Sequence, residues 1–303
     1  MLAGILLSTG GGRARPSTKP TLTPKVDSVQ RIDPKTNKLV ATIGGIGSNP
    51  DAIAVGAGSV WVGSQEDGTV SRVDARTNAV RGSVQTGGPV AIAVRDGSVL
   101  VGNQGYGMTT IDPATMDVSP SQSPYYASFA QGGGALWALV GPLGTRLDRI
   151  NHGLQIVKTF TTLGTDPFAV SADDHGVWVL DDVSRTLFRV DPATDRVVGR
   201  IPLGFDPGWV AVGGGSVWVT DAGGGAVVRI DPRSDRVVGR IRVGRDPQGV
   251  VVAYGAAWVA NYEDGTVSRI DLRSGAVTTI PVGRYPATLA TGGAGVWVPV
   301  RGA

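Results

Sequence analysis

Short apolar runs of four to six residues, separated by glycine and small polar residues, follow one another from residue 28 to residue 300. Residues 50–84 show the pattern. Asp51 to Val55 reads as one strand, Gly56-Ala57-Gly58 as a tight turn, and Ser59 to Gly63 as a second strand. Gln65 to Gly68 is a polar connection, Thr69 to Asp74 a third strand, and Ala79 to Val84 a fourth. The runs are β-branched and bounded by turn residues, so they predict strands and not helices. The second strand reads Val-Trp-Val without alternation, which predicts cover on both of its faces.

The pattern repeats. The Gly-Ser-Val-Trp-Val strand recurs around Trp61, Leu100, Trp137, Trp178, Trp218, Trp258 and Trp297, at spacings of 39, 37, 41, 40, 40 and 39 residues. A turn of the form Arg-Ile-Asp-Pro recurs at Asp33, Asp74, Asp112, Asn151, Asp191, Asp231 and Asp271. A proline after a Gly-rich step recurs at Pro50, Pro89, Pro124, Pro167, Pro207, Pro247 and Pro286. A forty-residue period of four short strands predicts radially stacked sheets. The chain opens with third and fourth strands (Val29–Asp33, Leu39–Ile43) and closes with first and second strands (Ala287–Thr291, Gly295–Val298). The two halves therefore predict a seventh sheet paired across the termini, which leaves no open edge. The expected fold is all-β, a seven-bladed β-propeller of four-stranded antiparallel blades over 28–300. Residues 1–27 read as a tail or linker.

Repeated residues are first of all architectural. The turn aspartates accept backbone hydrogen bonds, proline presets φ, and Asn37, Asn78, Asp117, Asp195, Asp235 or Gly275 closes the turn in the left-handed region. Arg31, Arg72, Arg149, Arg189, Arg229 and Arg269 lie two residues before the turn acid, and are expected to pair with it or with a neighbour's.

The repeats, Val-Ser-Arg-Ile-Asp-x-x-Thr followed by Val-x-Val-Gly-x-Gly-Ser-Val-Trp-Val, resemble YVTN-type propeller repeats over about nine tenths of the chain. The resemblance implies a ligand site at one mouth of the central channel, where the loops before the inner strands meet the loops between second and third strands. More distantly the chain resembles virginiamycin B lyase-like propellers. That likeness implies elimination chemistry on a cyclic lactone peptide, with a histidine base, Mg²⁺ and acidic residues. The only histidines are His152 and His175. Both fall in turns expected on the opposite face, so the family's histidines do not carry over.

Candidates come from places where the copies differ. Just before the repeated proline stand Asn49, Gly88, Ser123, Asp166, Asp206, Asp246 and Tyr285. Asp166, Asp206 and Asp246 bring three carboxylates to the mouth, either as a hard-cation set or, the preferred reading, as Asp-Pro turns. Two places after the proline most copies are small, but Tyr126 and Trp209 are large; Trp209 is the only Trp outside the anchor position. The second loop set adds Tyr106, Asp181, Asp221, Tyr262, Glu263 and Asp264. Residues 104–129 are the least regular span, and Tyr106, Tyr125 and Tyr126 mark it as a partner surface.

Composition narrows the classes. The chain has 303 residues, 46 of them glycine, a net charge of +3, and no cysteine. Disulfides, thiolate catalysis and Cys-ligated metals are excluded. The dispersed basic residues argue against nucleic acid as a partner. No Gly-x-Ser-x-Gly elbow, phosphate loop or zinc signature is present. Met1 to Leu7 is apolar but too short to span a bilayer; it reads either as the remnant of a signal or membrane anchor or as plain tail. The expectation is a monomeric, extracytoplasmic, non-catalytic recognition module for a protein, peptide or glycan, with no cofactor and a tether at its N-terminus. The alternative is a lyase-type propeller enzyme.

Overall fold

The computed structural model describes residues 22–105, 107–120, 123–141 and 146–302. The N-terminal segment read as a tether and Tyr106 lie outside the described residues. Among the described residues there are 28 strands and no helix, so none is long and apolar enough to cross a membrane.

The strands form seven four-stranded antiparallel sheets, the blades of a propeller. Blade 1 is Pro50–Gly56, Ser59–Ser64, Thr69–Asp74 and Val80–Gln85, from the channel outwards. Blades 2 to 6 follow with inner strands Pro89–Arg95, Tyr126–Gly132, Pro167–Ala172, Pro207–Gly213 and Pro247–Ala253. Blade 7 is the split one. Ser28–Asp33 pairs with Gly295–Val300 in the register Ser28 to Val300 and Ile32 to Val296. The first strand of the described chain is thereby zipped to the last.

Each seam between neighbouring blades holds one apolar cluster, and each anchor Trp is buried in the seam with the next blade. The second strands are buried along their length, as their unbroken apolar runs predict. Outer strands such as Arg196–Pro202 alternate exposed and covered positions. At the seam of blades 2 and 3 the anchor is Leu100. Tyr126 and Phe129, with ring centroids 5.8 Å apart, fill the volume a Trp takes elsewhere.

The repeated arginines lie over the anchor Trp of their own blade, at 4.9 Å for Arg31 on Trp297 and 5.3–5.7 Å in the other five. Arg149 and Arg189 also pair with Asp195 and Asp235 of the following blade, at 2.7 and 3.2 Å. Arg269 pairs with Asp271 of its own turn. These arginines therefore clamp ring and turn together, a cation–π role the sequence did not suggest.

The turn aspartates accept from the backbone N–H two and three residues on, as at Asp74 (Arg76 at 3.0 Å, Thr77 at 2.8 Å). In blade 2 the left-handed closing residue is Met116 (φ 67°), not Asp117; Met116 N–H donates to the Asp112 carbonyl just as Asn78 does to Asp74. These bonds favour the charged carboxylates. The Ser274 N–H, then its hydroxyl, then Arg269 hold Asp271 down to about 2. Asp33, Asp191 and Asp231 are lowered chiefly by the N–H groups of Lys35, Ala193 and Arg233. A depressed folded pKa stabilises above the unfolded value and is lost as pH falls through the folded one. Thermal midpoints are expected to hold above about pH 5 and to fall between about pH 4 and 2. A midpoint that stays level in acid contradicts this reading.

Candidate functional site

The mouth is built from two loop sets held together by one repeated bond. In blades 2 to 6 the carbonyl of the residue before the inner strand accepts the N–H that opens the loop between second and third strands. The pairs are Gly88 with Gln104 (2.9 Å), Tyr125 with Gly141 (3.2 Å), Asp166 with Asp182 (3.1 Å), Asp206 with Ala222 (3.0 Å) and Asp246 with Tyr262 (2.9 Å). This bond corrects the alignment of blade 3. Tyr126, not Pro124, takes the place of the repeated proline: it faces Val140 as Pro89 faces Asn103. The mouth position therefore belongs to Tyr125 and not to Ser123.

Tyr126 itself is 1% exposed, and its hydroxyl donates to the buried Asp148 carboxylate at 3.0 Å. It is a seam-filling residue, with its side chain committed to the interior and not to the mouth. Asp181 and Asp221 are also buried. They end second strands and cap the mouth loops from beneath: Asp181 accepts from the Asp166 N–H at 2.6 Å and the Ser184 N–H at 2.8 Å, and Asp221 from the Gly224 N–H at 2.9 Å. Burial raises the Asp181 pKa, and its hydrogen bonds, led by those from Ser184, outweigh that effect and hold it below the ordinary value.

The three mouth aspartates are separately engaged. Asp206 pairs with Arg185 at 2.6 Å in an exposed contact, of the kind worth about 0–1 kcal/mol. Asp246 accepts from the Gln248 side chain at 2.6 Å. Asp166 anchors its loop through its backbone. Among the described residues no three acidic or histidine side chains come close enough to hold a metal ion.

The aromatic candidates do meet. Tyr262, from a loop of blade 6, and Tyr285, from the loop leading into blade 7, lie with ring centroids 5.0 Å apart at 34°. The Arg284 guanidinium lies 5.7 Å from the Tyr285 ring. All three keep part of their surface in solvent. Two clefts flank them, one of about 460 Å³ bordered by Arg284, Tyr285 and Glu263, the other of about 550 Å³ bordered by Gly223, Arg245, Asp246 and Asp264. Glu263 and Asp264 border both clefts, and Arg245 is bonded to Asp264 at 2.6 Å and lies near Glu263 at 3.5 Å. The hydrogen bond it donates to Asp264 and the charges of both acids raise its already high pKa, so it stays cationic.

Trp209 is half-buried and packs against the core on both sides of blade 5. Its backbone N–H donates to Thr220 Oγ1 at 2.7 Å. Tyr125 keeps partial exposure at the mouth of blade 3, where burial raises its pKa. Arg245 and Arg284 were not nominated from sequence. Both stand two places before the repeated proline, where the other copies have Ser48, Gly87, Pro124, Thr165 and Phe205, so comparing the copies at that place finds them.

The two histidines lie on the other face. His152 Nδ1 is 2.7 Å from Asp96 Oδ2, turn to turn across blades 2 and 3. His175 sits in the hairpin after the inner strand of blade 4, with its N–H bonded to Asp173 Oδ1 at 2.8 Å.

No protein-family model matches the chain, and no curated protein matches it in sequence. Solved structures share the fold. A streptogramin B lyase superposes with a TM-score of 0.69 at 12% identity, covering 89% of this chain and 96% of the other. A catalytically inactive histidine-to-alanine variant of virginiamycin B lyase from Staphylococcus aureus, with quinupristin, gives 0.69 at 13% identity, over 89% and 98%. Kuenenia stuttgartiensis hydrazine synthase gives 0.67 at 17% identity, over 84% and 89%. At these identities the likeness establishes a seven-bladed propeller of the virginiamycin B lyase-like shape, and the fold alone.

Proposed function

We propose that the protein is a non-catalytic recognition propeller that takes a glycan or peptide at the mouth of blades 6 and 7. The Tyr262–Tyr285 pair beneath Arg284 carries the reading. Two rings fixed by short, hydrogen-bonded loops offer flat apolar area at little entropic cost, and the adjacent guanidinium supplies directed donors. Trp209 and Tyr125 extend the aromatic surface around the mouth. The YVTN-like repeat supports a place as the extracytoplasmic head of a larger tethered protein.

The lyase alternative has the propeller likeness in its favour. The inactive variant of the S. aureus lyase lost a histidine, whereas both histidines of this chain stand in turns away from the mouth. A histidine base acting at the mouth has no counterpart here.

The test is a calorimetric screen of oligosaccharides, peptides and quinupristin against the wild type and a Tyr262→Ala/Tyr285→Ala variant. The variant is expected to bind any mouth ligand about tenfold or more weakly, because buried tyrosines at binding sites are commonly worth more than about 1 kcal/mol. Its melting point should change little. Quinupristin should elute unchanged after incubation. Elimination conserves mass, so chromatography and fragmentation, not intact mass, must be the readout. A linearised product would sink the non-catalytic reading, and unchanged affinity in the variant would sink the site.

A further inference from the structure

On the face opposite the mouth, the seam between blades 4 and 5 holds a cavity of about 570 Å³. It exists because one hairpin departs from the repeat. In blades 1, 5 and 6 the two residues after the inner strand are both left-handed: Ala57 and Gly58, Gly214 and Gly215, Tyr254 and Gly255. In blade 4 the inner strand ends at Ala172, and the places that match on the anchor Trp hold Asp174 and His175, neither with positive φ. Asp173 Oδ1 instead accepts from the N–H groups of His175 (2.8 Å) and Gly176 (2.9 Å), which folds the turn the other way.

Two donors beside this hairpin lack the acceptors that other blades supply. Trp61, Trp137, Trp218, Trp258 and Trp297 each donate the indole N–H to the carbonyl five residues earlier, at 3.0–3.2 Å. Trp178, 1% exposed and lining the cavity, has no such acceptor among the described residues. The second donor is Arg189. In blades 1 and 5 the serine that starts the second strand accepts the arginine Nε: Ser59 from Arg72 at 2.9 Å and Ser216 from Arg229 at 2.8 Å. Blade 4 has Gly176 there, and Arg189 Nε is buried without a partner, as are Arg31 Nε and Arg269 Nε, whose blades have Gly295 and Ala256 at that place; blade 4 alone adds an indole N–H without its carbonyl. The Trp178 indole and the rest of the Arg189 side chain line the cavity, where a ligand oxygen can accept from donors left without a protein acceptor.

We infer that this cavity is a second binding site, for a small carboxylate. Its oxygens accept from the Trp178 indole and the Arg189 guanidinium, with Arg233 at the rim as counter-charge. Arg189 keeps one bond, to Asp235 at 3.2 Å, and the side chain of Arg233 makes no ion pair among the described residues. The two cavity acids are occupied in their own turns, Asp173 as above and Asp231 by the Arg233 N–H at 3.1 Å and the Ser234 hydroxyl at 2.7 Å. Planar guanidinium and indole donors side by side suit a carboxylate better than a neutral carbonyl, since charge-assisted bonds are about twice as strong.

The experiment follows the indole N–H resonances of the full chain in ¹⁵N NMR while N-acetylglycine, and separately its neutral amide, is added. The Trp178 signal is assigned by its loss in Trp178→Phe. It is expected to move saturably with the carboxylate, with the amide about tenfold weaker or silent. Gly176→Ser restores the serine of blades 1 and 5. Its Cβ would stand 3.0 Å from Trp178 Nε1, and its hydroxyl would satisfy Arg189, so binding should vanish while the fold persists. Arg233→Ala, which touches no core group, should weaken binding several-fold. The inference is overturned if the Trp178 signal ignores the carboxylate, if acid and amide act alike, or if folded Gly176→Ser binds as the wild type does.

Discussion

Trp297→Ala is expected to destabilise the propeller by about 3–5 kcal/mol, the range for removing a large buried aromatic. The side chain is fully buried in the seam that joins the last blade to the first, against Val29, Ile46, Val60 and Val62. Its indole N–H is bonded to the Gly292 carbonyl at 3.0 Å, and Arg31 lies over the ring. Two effects therefore add: the cavity, and a guanidinium that loses its ring partner on the strand that zips the N-terminus to the C-terminus. Trp297→Leu should cost less, because leucine refills part of the volume, though this seam lacks the Tyr126 and Phe129 that complement Leu100 in blade 2. Urea unfolding of the three proteins checks the order. Equal stability of Trp297→Ala and wild type would mean that the closing blade does not support the ring.

Asp148→Ala should cost about 1–3 kcal/mol, by a different route. The Asp148 carboxylate is fully buried. It accepts from the Tyr126 hydroxyl at 3.0 Å, the Thr159 hydroxyl at 2.8 Å, and Arg146 at 2.8 and 3.1 Å. Truncation strands the buried Tyr126 hydroxyl and takes a partner from the exposed Thr159 and from the partly exposed Arg146. Asp148→Asn keeps an acceptor oxygen and should recover part of the loss. Burial, then the Asp148 charge and its hydrogen bond, push the Tyr126 phenol well above the ordinary tyrosine range. In the wild type it should stay protonated in alkali that ionises exposed tyrosines, as followed by ultraviolet absorbance. Ionisation of Tyr126 in the ordinary tyrosine range would contradict the network.

The frame of the molecule was readable because propeller closure repeats its constraints. The anchor Trp, the Asp-Pro turn and the split last unit each recur, and each has one mechanical role. What could not be read arose where a copy breaks step. Pro124 imitated the repeated proline, so Tyr126 was read as a mouth residue when it compensates for Leu100 one blade away. Asp117 was one place out because Met116 is an unusual left-handed residue. Tyr262 and Tyr285 were both nominated, but their contact was not foreseeable. They come from different loops, and only the ring geometry sets blade 6 beside blade 7. The arginine–Trp stack was hidden for the same reason: it joins positions that pair only across strands, such as Arg72 with Trp61.

The central claim is that ligand is read by tyrosines at one mouth of the ring, and the chain's six tyrosines report on that directly. With ring-¹³C-labelled tyrosine, each side chain gives a signal assignable by Tyr→Phe substitution. Tyr262, Tyr285 and Tyr125 mark the mouth, Tyr126 the interior, and Tyr254 the hairpin turn on the opposite face. Titration with the oligosaccharides and peptides that bind in calorimetry is predicted to move Tyr262 and Tyr285 together, leaving Tyr126 and Tyr254 in place. Binding that moves Tyr254 alone, or leaves the Tyr262 and Tyr285 signals still, would contradict the account.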